Sequence, residues 1–168
     1  MLILRRKFFL PIIFVFFLSV FIYFLTLAPS IVPGDGPELI TAAYNWGTAH
    51  PPGYPLLTVL SKIFITLFPI GNIAWRVNLL NALFGSLTVA VVYIIIYKLT
   101  KRMLPAVVGS LFLAFSSSFW LYSITADVFT LNNLFGALLT LTLLIWHEKV
   151  IGKEKNRRWL YLFCFLAG

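Results

Sequence analysis

Five apolar stretches, punctuated by basic residues at 5–7, 98–102 and 149–158, set the pattern of this 168-residue chain. The first runs from Phe8 to Ala28 behind Arg5, Arg6 and Lys7. At about 1.5 Å per residue it reaches roughly 30 Å, enough to cross the hydrocarbon of a bilayer. It exceeds the ~7–15-residue core of a signal peptide and reads as an uncleaved span. Val77 to Tyr97, Leu104 to Tyr122 and Thr130 to Trp146 are further apolar runs of crossing length. A fifth begins at Trp159 and reaches Gly168 after ten residues, about half a bilayer, so the chain is expected to be the N-terminal part of a longer protein. The pattern thus predicts an all-α, polytopic transmembrane bundle with spans over 8–28, 77–97, 104–122 and 130–146 and an incomplete one over 159–168.

Between the first two spans lies a loop, 29–76, that carries two shorter helices. Pro37 suits a first helical turn and Gly47 the position past its end, predicting a helix over 37–46 with an apolar stripe of Leu39, Ile40, Ala43 and Trp46. Over 54–68, Thr58, Lys62 and Thr66 recur every four residues, with Leu57, Leu60, Phe64 and Phe68 elsewhere. That spacing predicts a helix lying on the membrane surface, its polar row toward water.

Composition supports the membrane reading. Hydrophobic residues make up 61% of the chain and charged residues 11%, less than half the share usual in a soluble domain. The net charge of +8 does not make it a nucleic-acid binder, because its cations punctuate apolar runs and do not share one face. They orient it instead. With the N-terminus in the cytoplasm, Arg5, Arg6, Lys7, Lys98, Lys101, Arg102, Lys149, Lys153, Lys155, Arg157 and Arg158 all lie inside, and of thirteen cations only Lys62 and Arg76 lie outside. Loop 29–76 then faces away from the cytoplasm. Making 54–70 a span would reverse both later basic loops, so the helix there is expected to be interfacial or re-entrant. The lone Cys164 permits no internal disulfide and reads as a small buried hydrophobe.

The external loops hold three carboxylates: Asp35, Glu38 and Asp127. Asp35 and Glu38, three residues apart at a helix start, admit two readings. They can form a capping box, each satisfying orphan backbone N–H groups, or serve as a reactive pair beside the bilayer. Asp127 can likewise cap the fourth span, or fold back to join the other two as a proton-sharing cluster or as oxygen ligands for a divalent cation such as Mg or Mn. With no external Cys and one external His, a zinc site is not expected. In the run His50-Pro51-Pro52-Gly53-Tyr54-Pro55 three prolines restrict the backbone, and His50 can satisfy a turn, contact a phosphate or carry a proton. Arg76 beside Trp75 suits either an interfacial anchor or a bidentate grip on a lipid phosphate, and Lys62 is expected to snorkel.

Taken together, Gly34-Asp35-Gly36-Pro37-Glu38-Leu39-Ile40, His50-Pro51-Pro52-Gly53-Tyr54-Pro55-Leu56, Arg76-Val77-Asn78-Leu79-Leu80 and Asp127-Val128-Phe129-Thr130-Leu131 resemble a widespread bacterial family of polytopic membrane proteins. That family is related to protein O-mannosyltransferases and carries the GT-C glycosyltransferase fold. The resemblance implies transfer of a sugar, such as mannose, from a polyprenyl-phosphate donor to an acceptor protein or glycan hydroxyl on the non-cytoplasmic face of a bacterial plasma membrane or its equivalent. It implies Asp35, with Glu38 close behind, as the catalytic carboxylate and matches Asp127 to an acidic site after the third span; apart from the resemblance, His50, Tyr54, Arg76 and Asp127 are candidate substrate-binding residues, Arg76 suited to help the leaving phosphate. The chain departs from the family at Gly36-Pro37, where Ser-Gly is usual, and at Asp127-Val128-Phe129, where Glu-Val-Tyr is usual; the shorter Asp127 limits that carboxylate's reach. Two other classes share the membrane pattern: a transporter or flippase component for a lipid-linked or anionic solute, which should hold ionisable groups within its spans, and a non-catalytic assembly subunit whose carboxylates are caps.

Overall fold

The structure, a computed structural model, describes residues 2–152 and 157–167, with side chains from Phe9 onward. The side chains of Arg5, Arg6 and Lys7, together with Lys153, Lys155 and Gly168, lie outside that description. Among the described residues the chain is all-helical, with eight helices in the order α1 (Leu2–Leu25), α2 (Gly36–Asn45), α3 (Pro55–Leu67), α4 (Ile73–Thr100), α5 (Met103–Ala114), α6 (Ser117–Ser123), α7 (Phe129–Ile151) and α8 (Arg158–Ala167). Two of them, α4 and α7, are long and apolar enough to cross a membrane, and α5 with α6 makes a third if the bent pair is one span. The apolar part of α1, Phe9–Leu25, and α8 are shorter.

The central helix is α4, which packs against α1, α2, α3, α5, α6 and α7. Its start is fixed locally, because the Asn72 side chain accepts a 2.8 Å bond from the Trp75 N–H at the N-cap. Its end is fixed by Lys101, which takes a left-handed conformation and bonds back to Tyr97. Val15, Tyr23, Val89, Tyr93, Ala106 and Ala114 belong to one buried cluster joining α1, α4 and α5. Leu39, Leu57, Leu80, Phe84, Leu131 and Leu134 belong to a second, which seats α2 and α3 on α4 and α7. Helices in an apolar solvent gain little from burying apolar surface against one another, so polar contacts count. The Tyr23 hydroxyl donates to the Ala114 carbonyl at 2.8 Å, and the buried Thr130 hydroxyl donates to the Asn81 side-chain oxygen across α4 and α7.

The run predicted as a single span over 104–122 is broken. After Ala114 the chain bends by 67° before α6 begins. Ser116 is extended at the break, and its hydroxyl donates to the Leu113 carbonyl at 2.8 Å, a local bond that competes with helix continuation. Helix α3 also differs from its expected face. Thr58 and Ser61 are buried against the body, and an apolar row of Leu56, Val59, Ile63 and Leu67 faces outward. The inward-facing Thr58 hydroxyl donates to the Tyr54 carbonyl, one turn back. In α2 the buried stripe is Leu39, Ile40, Ala42 and Ala43, while Trp46 lies exposed past its end. Cys164 is exposed, because α8 packs chiefly on α7 and buries none of its side chains.

Candidate functional site

The site is assembled where the two loops meet. The backbone N–H of Ala28, just past α1, donates to the Ile124 carbonyl at 3.1 Å, pinning the loop after α6 to the end of α1. Asn78, buried in α4, donates its amide to the carbonyls of Ala28 at 2.9 Å and Ser30 at 3.2 Å. Gly36 then permits the closest approach. A Cβ there would stand 3.1 Å from the Ala126 carbonyl oxygen, so even an alanine would require the second loop to give by a few tenths of an ångström. That approach sets Asp127 opposite Asp35 across a cavity of about 380 Å³, bordered also by Pro33, Asn78, Tyr122 and Thr125.

The two carboxylates of Asp35-x-x-Glu38 have separate roles. Asp35 is the N-cap residue of α2, yet its side chain makes no capping hydrogen bond. Glu38 does not reach back to close a capping box. Its Oε1 accepts the His50 backbone N–H at 2.6 Å, and its Oε2 accepts from His50 Nδ1 at 2.8 Å. Neither half of the box is formed, which leaves the Asp35 carboxylate open to the cavity. On the other side of the imidazole, His50 Nε2 stands 4.0 Å from Asp35 Oδ2. The hydrogen bond to Glu38 is the largest influence on His50, holding the imidazole above its usual 6.5, while the bond from the His50 side chain holds Glu38 below its usual 4.5.

The proline-rich turn presents this histidine. The Gly53 N–H donates to the His50 carbonyl at 2.8 Å, Pro51–Pro52 is cis, and Gly53 (φ 90°) and Tyr54 (φ 45°) both lie in left-handed space. Such a conformation is uncommon for a bulky residue such as Tyr54. Its ring meets the imidazole edge to face at 5.4 Å. Tyr54 lines a second, mostly apolar groove with Phe135, and Phe129 borders both this groove and the carboxylate cavity.

Asp127 sits just before α7 and at the edge of the cavity. Its Oδ1 accepts the Phe129 N–H at 3.1 Å, as a residue at a helix start would, and it also borders the cavity. Burial, foremost, and the charge of Asp35 push its carboxyl above the usual 3.8, against the lowering effect of its backbone bonds. Asp35 and Asp127 therefore share a cavity, whereas Glu38 faces the His50 loop. Among the described residues no three His, Cys, Asp or Glu side chains gather closely enough to hold a metal ion. The physical reason within this trio is that both oxygens of Glu38 are held by His50.

Arg76 is occupied elsewhere. Its guanidinium donates to the carbonyls of Ile70, Gly71 and Ile65 at 2.8–3.1 Å, clasping the turn between α3 and α4. Those bonds favour a structural role over a grip on phosphate. Lys62 does not snorkel: its Nζ donates to the Tyr44 carbonyl at 2.5 Å and stands over the Tyr44 and Trp46 rings at 5.2 and 5.9 Å. Asn78 and Gly36 are the site residues that residue chemistry alone passed over. The available signal for Asn78 was an amide inside an otherwise apolar run; for Gly36 there was none, since its partner is ninety residues away in the chain.

These features define a helical membrane protein whose candidate site is built by two loops at one end of the bundle. The chain belongs to the family described as Protein O-mannosyl-transferase TMEM260 N-terminal domain, which matches residues 35–168, beginning at the candidate carboxylate itself. It is 42% identical over 136 residues to Protein O-mannosyl-transferase TMEM260 of Mus musculus, covering 81% of this chain and 19% of the mouse protein. It is 33% identical over 157 residues to Protein O-mannosyl-transferase tmem260 of Dictyostelium discoideum, covering 92% of this chain and 19% of that protein. The chain thus spans about a fifth of the length of these relatives. No solved structure matches it.

Proposed function

We propose that this chain forms the loop-side catalytic part of a GT-C-type glycosyltransferase, which moves mannose from a polyprenyl-phosphate donor to a protein hydroxyl on the non-cytoplasmic face. The observation that carries the reading is the Asp35 carboxylate, uncapped at a helix start and facing a cavity it shares with Asp127. The names of the relatives supply the reaction type, and the basic far ends of the helices supply the orientation.

In this reading Asp35 takes the proton from the acceptor hydroxyl as the new oxygen–carbon bond forms at C1 of the sugar and the bond from C1 to the donor phosphate breaks, releasing the polyprenyl phosphate. Asp127, with its affinity for a proton raised by burial, holds a hydrogen bond to sugar or acceptor across the cavity. The open apolar rows of the bundle keep the carrier's tail in lipid while its phosphate stays at headgroup level. The test is mannosyl transfer by the full-length protein from polyprenyl-phosphate mannose to a Ser/Thr peptide. Asp35→Asn is expected to lower kcat by about 10²–10⁴-fold with folding intact. A variant as fast as wild type would overturn the assignment.

A further inference from the structure

One group beside the cavity has no part in the transfer just described, namely the face of the His50 imidazole turned away from Glu38. Glu38 is a carboxylate and can only accept, so the Nδ1 atom bonded to it carries a hydrogen. The bond from the His50 backbone N–H to the other oxygen of Glu38 fixes the carboxylate in place, and the edge of the Tyr54 ring restricts the imidazole from the side. Three contacts thus set the ring's orientation, and in that orientation Nε2 faces Asp35 Oδ2 at 4.0 Å.

We propose that His50 is a positioning residue for Asp35, with Glu38 as the group that orients it. Resting on the glycosyltransferase reading, the arrangement places an imidazole between two carboxylates, one that fixes it and one that acts. With His50 protonated, Nε2 also carries a hydrogen, which faces Oδ2 of Asp35 and leaves Oδ1 for the acceptor hydroxyl. The logic is that of an orienting acid behind a histidine, here serving a carboxylate base in place of a hydroxyl nucleophile. It also gives the conformation of the turn a use: the left-handed Tyr54 and the Gly53 bond to His50 hold the loop in a shape in which Nδ1 reaches Glu38 while Nε2 faces Asp35.

The two amide substitutions separate this role from a purely structural one. Asparagine reproduces the Nδ1 donor, keeping the bond to Glu38, but does not extend to the Nε2 position; glutamine extends to the Nε2 position and gives up the Nδ1 bond. In the full-length enzyme, assayed with polyprenyl-phosphate mannose and a Ser/Thr peptide, His50→Asn is expected to lower kcat by about 10²-fold with the KM for donor and the thermal stability close to wild type. His50→Gln is expected to recover a large part of that loss. Wild-type kcat in His50→Asn, with Asp35→Asn inactive, would overturn the positioning role and leave the function standing. Equal loss in both His50 variants, with thermal stability lowered in each, would assign His50 to loop structure alone and also overturn it. An active Asp35→Asn enzyme would remove both readings.

Discussion

The two ends of the helical bundle treat their acidic residues in opposite ways. At the end where α4 and α7 finish, Glu148 lies 2.6 Å from Lys98 and 3.7 Å from Lys101, an acid answered by two cations. At the end where they start, the ion pairs of Asp35 and Glu38 among the described residues are with His50, and Arg76 is turned to backbone carbonyls. Both ends are partly exposed, so solvation does not explain the difference. Replacing Glu148 by a neutral residue removes its contacts with Lys98 and Lys101, whereas Asp35 faces a cavity and among the described residues is paired with His50 and with no lysine or arginine. An acid held near other acids, with a titratable imidazole in place of a permanent cation, is available for proton transfer.

The largest effect is expected from neutralising one acid at each end. Asp35→Asn should lower kcat of the full-length enzyme by about 10²–10⁴-fold, and Glu148→Gln should leave it within roughly twofold. Similar losses in both would mean that charge near the membrane, and not the cavity, governs turnover. Next in size is Gly36→Val. Its side chain would meet the Ala126 carbonyl, where even a Cβ stands at 3.1 Å, and would part Asp127 from Asp35. A displacement of about 1 Å predicts about a 10²-fold drop in kcat, with the remaining helices folded as before. Far-ultraviolet circular dichroism alongside the transfer assay checks both halves.

A smaller effect should follow pH. Glu38 is lowered from its usual 4.5, so its contribution to holding the His50 loop is present above about that pH and is lost as pH falls through its folded value. His50 is raised from its usual 6.5, so its contribution is present below about that pH and is lost as pH rises through its folded value. The loop over 47–55 is therefore expected to be best held between about pH 4.5 and 6.5. Hydrogen exchange corrected for intrinsic rates should show protection falling on both sides of that window in wild type, and no such window in Glu38→Gln. Least affected should be Lys98→Ala, which removes an ion pair whose carboxylate is nearly half exposed; a stability change within about 1 kcal/mol in thermal unfolding is expected.

How much of the molecule was legible in the sequence varied with the distance over which each feature is determined. The starts of α2 and α3 beside Pro37 and Pro55 could be read locally, because proline fits a first turn and little else in a helix. The end of α2 could be read less well: Gly47 fits the position past the end, but it is Trp46, expected on the apolar stripe, that takes φ 54°, its ring meeting the Lys62 ammonium. The break after Ala114 was hidden inside an apolar run, since hydropathy registers side chains and not the serine bonds to the backbone. At the site, the three carboxylates were visible as residues, but their sorting was not. Glu38 and His50 are twelve residues apart, and the pairing that withdraws Glu38 from Asp35 depends on the path of the intervening loop.

The serine break also sets a height. Without the 67° bend, the chain leaving α5 would continue along the direction of that helix, and the turn before α7 would lie wherever the helix happened to end. With it, α6 works as a short bracket, with Ser123 in close contact with Gly85 of α4. The reach of Asp127 over α2 is therefore set by a feature about three helical turns upstream of it. Inserting or deleting a residue over 117–120, ahead of the cavity-lining Leu121 and Tyr122, would retune the gap between the two cavity acids without replacing any residue that lines the cavity.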